Sequence, residues 1–137
     1  MNNIKERLIE AQNYAMSIRP EIGGFPVIAQ VLREAGVLKN FWSLPSCQSI
    51  YLFKDGALVQ QGNPLLTGTH EILKFERELL ISAIRKDQRG ESTFSEFLEA
   101  IWKAGVIRYD VDFIDRHVVY YGINNESYKE EYPFVEI

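Results

Sequence analysis

Apolar residues recur at Ile4, Leu8, Ala11, Ala15 and Ile18, a spacing of four, three, four, three that lines one stripe of a helix over 3–18. Pro20 and then Gly23-Gly24 stop that helix. Pro26 suits the first turn of a second helix, where a backbone N–H has no intrahelical partner to lose. This helix turns Ile28, Val31, Leu32 and Ala35 inward and closes at Gly36. Residues 38–49 show no clear period and read as an irregular segment. Beyond them, Ile50 to Lys54 and Ala57 to Gln61 flank Asp55-Gly56, which predicts a hairpin with a tight type I′ turn. A long helix is expected over 71–88, with Ile72, Phe75, Leu79 and Ala83 on one face and a stop at Gly90. Thr93 and Glu96 have the spacing of a capping box for a fourth helix, which carries Phe94, Phe97, Leu98 and Ile101 and ends at Gly105. Residues 107–113 then alternate, and His117 to Tyr121 returns after a turn at Asp115-Arg116. The tail, 126–137, is acidic and aromatic and supplies a short edge strand or wraps the surface.

These patterns occur twice. Phe25 to Val37 (FPVIAQVLREAGV) matches Phe94 to Val106 (FSEFLEAIWKAGV) at an offset of 69 residues, with Phe, Ala, Gly and Val identical. Ile50 to Gly62 matches Asp110 to Gly122 at an offset of 60, through Phe53/Phe113, Asp55/Asp115, Val59/Val119 and Gly62/Gly122. The change of offset implies nine extra residues in the first copy, placed within 38–49. The expectation is one α+β domain over 1–137: repeats at 25–62 and 94–122 joined by the 71–88 helix. Their four strands form an antiparallel sheet with helices packed mainly on one face.

Composition narrows the function classes. With 137 residues, 46% hydrophobic and 25% charged, the chain falls in the ordinary soluble globular class. It has no apolar run long enough to span a membrane, and no apolar stretch follows the N-terminal charges as a secretory signal requires. Cys47 is the single cysteine, which rules out an internal disulfide and suits a reducing, cytoplasmic setting. A net charge of −4 argues against nucleic acid, since phosphate binding needs concentrated Lys and Arg. The basic cluster Arg85, Lys86 and Arg89 reads as a solvated helix end.

The order of a helix ending Gln88-x-Gly90, then Phe94, Ala104-Gly105-Val106, a Tyr109-x-Val111-x-Phe113 strand and Val118-x-Tyr120-Tyr121-Gly122 resembles the small YbcV-like bacterial family. Some members of that family carry a prophage "envelope" label, for which these residues offer no support. The resemblance is best over 75–132 and implies a compact duplicated α+β domain of unknown activity. Its motifs are structural, and it brings no catalytic residue.

Candidate chemistry is sparse. Asp110, Asp112 and His117 fall on one face of the predicted second hairpin and are the nearest approach to a divalent-cation site. A pairing in which residue numbers total 231 sets His117 about 7 Å along the ladder from Asp112's partner, and an alternating strand needs a polar face in any case. No metal or cofactor is therefore expected, and an enzyme using these three residues is the alternative reading. Cys47 with His70 or His117 would make a nucleophile and base, but nothing brings them together, and a buried thiol acting as a small hydrophobe is the simpler reading. No glycine-rich phosphate loop is present.

One contrast points to binding. In the first hairpin both faces are apolar: Tyr51, Phe53 and Leu58 on one, Ile50, Leu52 and Val59 on the other. Helices cover only one, so the second needs the 38–49 segment, the tail, a ligand or a second subunit. Trp42, Ile50, Leu52, Val59 and Tyr121 are the ligand or interface candidates of a non-enzymatic binding module. The favoured covers are the 38–49 segment, with Phe41, Trp42 and Leu44, and a homodimer partner.

Overall fold

The computed structural model describes residues 3–137. The first helix, α1, spans Ile4–Ile18, and Asn3 caps it by accepting from the Glu6 N–H at 2.8 Å. Leu8, Ala11 and Ala15 of the expected stripe are buried. Helix α2 covers Phe25–Glu34 with proline in its first turn, and Gly36 takes φ 104° just past its end. Helix α4, Phe94–Lys103, has the full capping box between Thr93 and Glu96. Among the described residues, no helix is long and apolar enough to cross a membrane.

Six strands follow these helices in two groups of three: β1 Val37–Ser43, β2 Gln48–Phe53, β3 Gly56–Gln61, then β4 Arg108–Asp112, β5 His117–Tyr121 and β6 Ser127–Glu131. They form one antiparallel sheet in the order β3-β2-β1-β4-β5-β6. Between the two groups lies helix α3, Arg77–Gln88, so helix, helix, strand, strand, strand occurs once in each half. Alternate strand residues point the same way. Asn40, Ser49, Tyr51, Phe53, Tyr109, Val111, Val118 and Tyr120 are buried in the core with Leu8, Leu32, Leu80, Leu98 and Ile101 of the helices. The helices therefore lie on one face.

Four sequence expectations need correction. The 38–49 segment is not an inserted cover: its first part is β1, paired to β2 on one side and β4 on the other. The sheet accordingly has six strands, not four. The offset-60 match sets β2–β3, at the edge, against β4–β5, whereas by order the counterpart of β4–β5 is β1–β2. The long helix begins at Arg77 rather than near residue 71, and its buried residues are Leu80 and Ile84, while Ile72 and Leu79 are exposed. The chain before it is held extended because the Glu76 N–H donates to the Ala104 carbonyl and residues 74–75 lie against Gly105.

Turn chemistry also differs from expectation. Phe53 pairs with Gly56, so the first hairpin turns on Lys54-Asp55, neither of which has positive φ. In the β4–β5 hairpin Asp112 pairs with His117 and Arg108 with Tyr121, two residues short of the expected register. A slip of two leaves every side chain on its expected face, and Tyr109 and Tyr120 are both core. The longer turn is held by the Asp112 carboxylate, whose Oδ1 accepts from the N–H groups of Ile114 and Asp115 at 3.0 and 2.9 Å.

Both the edge strand and the wrap expected of the tail are present. Strand β6 pairs with β5, and beyond it Tyr132 donates its N–H to the Arg116 carbonyl and sets its ring edge-on to Phe25 of α2. Ile137 reaches the groove between α1 and α2 beside Ala11 and Val31. Of the basic cluster, Arg85 is no free cation: its guanidinium donates to both carboxylate oxygens of Glu130 on β6, at 2.6 and 3.1 Å.

The packing sets two expectations. Ile101 is fully buried, so Ile101→Ala should cost about 2 to 5 kcal/mol in urea unfolding. At Gly105, φ is +88° and a Cβ would lie 2.5 Å from the Lys74 carbonyl oxygen and the Phe75 Cα. Gly105→Ala should therefore cost at least about 1 to 2 kcal/mol by the same measurement, from backbone strain alone.

The Arg85 pair predicts an acid response. Arg85, with help from Tyr128, holds the Glu130 carboxyl below its ordinary 4.5. A depressed carboxylate contributes stability above the unfolded-state value and loses it as pH falls through the lower folded one. Melting temperature followed from pH 6 downward should fall more gently in Glu130→Gln than in wild type once pH drops below 4.5.

Candidate functional site

The face of the sheet turned away from the helices is built from three rows that run across all six strands. The middle row is Val59, Ile50, Phe41, Asp110, Val119 and Lys129. On one side of it lie Ala57, Leu52, Lys39, Asp112, His117 and Glu131. On the other lie Gln61, Gln48, Ser43, Arg108, Tyr121 and Ser127. Strands β1 to β3 contribute the apolar half, with Lys39 as its one charge. Strands β4 to β6 contribute the remaining charges around Val119 and Tyr121.

No described segment crosses this face. Strand β1 is within the sheet, and the connection after β3 runs past the sheet's end, where the N–H groups of Leu65 and Leu66 donate to the Pro45 carbonyl. Its later part lies against α4 and the turn after it, through Phe75 and Gly105. The tail crosses to α2. Val59 is consequently 57% exposed. Ile50, Leu52, Phe41, Val119 and Tyr121 are half-buried.

Asp110 is the chemically unusual member. Its Oδ1 is buried without a hydrogen-bond partner, while Oδ2 reaches Arg108 only at 3.9 Å. Burial between Phe41 and Val119 pushes its carboxyl above the ordinary value of 3.8, and Arg108 and Lys39 offset this in part. Arg108 is drawn aside, its guanidinium stacked 4.3 Å above the Tyr121 ring.

Of the residues singled out from the sequence, Ile50, Leu52, Val59 and Tyr121 share this face. Trp42 does not: it points to the helix side, stacked on Tyr109 and edge-on to Phe94. Asp110, Asp112 and His117 are also on the outer face, and Asp112 lies directly opposite His117. One oxygen of Asp112 is already committed to the turn, and among the described residues no group of three His, Cys, Asp or Glu could hold a metal ion. Cys47 is buried, its thiol pushed up by desolvation, and His70 lies in the connection after β3 with its ring bonded to the Thr67 carbonyl. The shallow hollow there, about 400 Å³ between Leu65, Leu73 and Trp102, brings His70 near Glu71 and Lys103, whose ammonium pairs with Glu99 at 3.2 Å.

Phe41 and Lys39 of β1 are members of the face that sequence reasoning did not assign to it. The signal in β1 is weak because the residue before Phe41 on the inner side is Asn40, a polar core residue, which blurs the alternation.

The model of the family described as "Protein of unknown function (DUF1398)" matches residues 23–131, which takes in all six strands. The chain belongs to this family. Uncharacterized protein Rv2012 of Mycobacterium tuberculosis (strain ATCC 25618 / H37Rv) is similar to it, 44% identical over 126 residues, 92% of this chain and 77% of that protein. Uncharacterized protein Mb2035 of Mycobacterium bovis (strain ATCC BAA-935 / AF2122/97) matches to the same extent. Neither name states an activity. The family relation thus fixes kinship across the sheet, and any functional reading of this DUF1398 chain rests on the face itself.

Asp110 gives a test of that face's burial. A raised folded-state value means that ionising the carboxylate costs stability, and that cost grows as pH rises through the folded value. Asp110→Asn should therefore melt higher than wild type at pH 7, with the gap closing as pH is lowered below the ordinary carboxylate range.

Proposed function

We propose that the protein is a non-enzymatic interaction module of the reducing cytoplasm, and that the outer sheet face is its working surface. The observation that carries this reading is the apolar half of the face, from Val59 through Ile50 and Leu52 to Phe41, over which no described segment is laid. A contiguous apolar patch of this kind on a soluble protein marks an interaction site more often than an accident. The chemistry elsewhere supports it by contrast. Asp112 is tied to a turn, Cys47 is buried as a thiol, and the His70 ring is bonded to the Thr67 carbonyl. Basic residues on the face are matched by acidic ones, which disfavours a phosphate backbone as partner.

Hydroxyl-radical footprinting tests the reading. In a dilution series, Phe41 and Tyr121 should become readily oxidised as the protein is diluted, while Phe113 and Tyr109 stay protected in the core. Protection of Phe41 equal to that of Phe113, in a chain that sediments as a monomer, would show the face covered internally and end the proposal.

A further inference from the structure

We infer that the occupant of the outer face is a second copy of this chain, packed sheet on sheet about a two-fold axis parallel to the strands along the β1–β4 seam. The inference rests on the interaction reading above and goes beyond it by naming the partner.

Charge order on the face is the first argument. Lys39, Arg108 and Lys129 stand against Asp110, Asp112 and Glu131, three of each sign. A face of zero net charge neither repels a copy of itself nor selects a strongly acidic or basic partner. A two-fold axis along the seam sets each row on itself in reversed strand order. Lys39 then faces Asp112 of the partner subunit, and Ile50 faces Val119 of the partner subunit. No like charges meet. An axis running across the strands would instead set Asp110 on Asp110 of the partner subunit and Lys129 on its own equivalent, two like-charge contacts in a dehydrated interface. The seam axis also surrounds itself with alternating Lys39 and Asp112 side chains, since these two are already opposite each other within one chain.

Area is the second argument. Six strands about 4.8 Å apart and five residues long present roughly 29 by 17 Å, or about 500 Å² in projection, before the relief of side chains is counted. A stable interface takes on the order of 800 Å² from each partner. A partner seated on the apolar half alone falls far short, whereas whole-face packing comes within reach of it. Packing two sheets face to face about 10 Å apart is a standard solution for such surfaces. Whole-face packing also buries Asp110 further, beside Phe41 of the partner subunit.

Sedimentation equilibrium on the full chain, alone and with two outer-face variants, is the test. Wild type should be a dimer, and Ile50→Lys and Lys39→Glu should each weaken association about tenfold or more, with circular dichroism unchanged. Lys39→Glu makes each face net negative and gathers four carboxylates at the axis assigned here. A wild-type monomer at every concentration would overturn the dimer, while footprinting that still finds Phe41 reactive would leave the interaction reading standing. A dimer indifferent to Ile50→Lys would place the contact elsewhere and overturn the inference. Loss of association with Ile50→Lys but not with Lys39→Glu would overturn the axis.

Discussion

The antiparallel seam between β1 and β4 is the constraint on which the rest of this structure depends. Lys39 to Ser43 pair with Asp112 to Arg108 there, and this joins three strands from each half of the chain into one sheet. Without it each half would be a three-stranded sheet with two helices and an exposed central edge. With it, only β3 and β6 remain as edges. Strand β6 carries Lys129, Glu130 and Glu131, and β3 ends in Gln60 and Gln61, side chains that discourage further pairing. Asn40 of β1 is buried and tied to β2 on the other side of the strand: its side-chain amide donates to the Ile50 carbonyl, so a polar group is carried into the core with its partner.

The same seam gives the outer face its character. It sets the apolar strands of the first half directly beside the charged strands of the second, on one continuous surface. Helices occupy the other side, and the two long segments that could have been laid over the outer face are both anchored elsewhere, one at Pro45 and Gly105, the other at Phe25 and the α1–α2 groove. The face is thus bare for a topological reason rather than for want of apolar side chains. Asp110 records the consequence: it sits among Phe41 and Val119 with one oxygen unpartnered.

Helices with a strong local signal were legible from the chain. Thr93 with Glu96, Gly36 and Gly105 are caps and stops whose chemistry acts within a few residues, so their positions follow from spacing alone. Where tertiary contact overrode propensity, reading failed. Residues 71–76 have helical periodicity, yet they are not helical: Glu76 is extended with its N–H on the Ala104 carbonyl, and Lys74 and Phe75 lie against Gly105. The Asp55-Gly56 signal located a hairpin but not its turn, because Gly56 takes a place in the ladder opposite Phe53.

By itself, then, the sequence determined an α+β chain, the helix caps, the inward set Tyr51, Phe53, Tyr109, Val111 and Tyr120, and the apolar surplus of Ile50, Leu52 and Val59. Alternation with a period of two assigns faces even when register is wrong by two residues. Only the tertiary structure decided that β1 is a strand, since Val37 to Ser43 lacks a clean alternation and is made a strand by having a partner on each side. Only it placed Phe41 and Lys39 on the outer face, turned Trp42 to the helices, and tied Asp112 to its turn. Those outcomes depend on long-range pairing between residues some seventy positions apart, which no local pattern encodes.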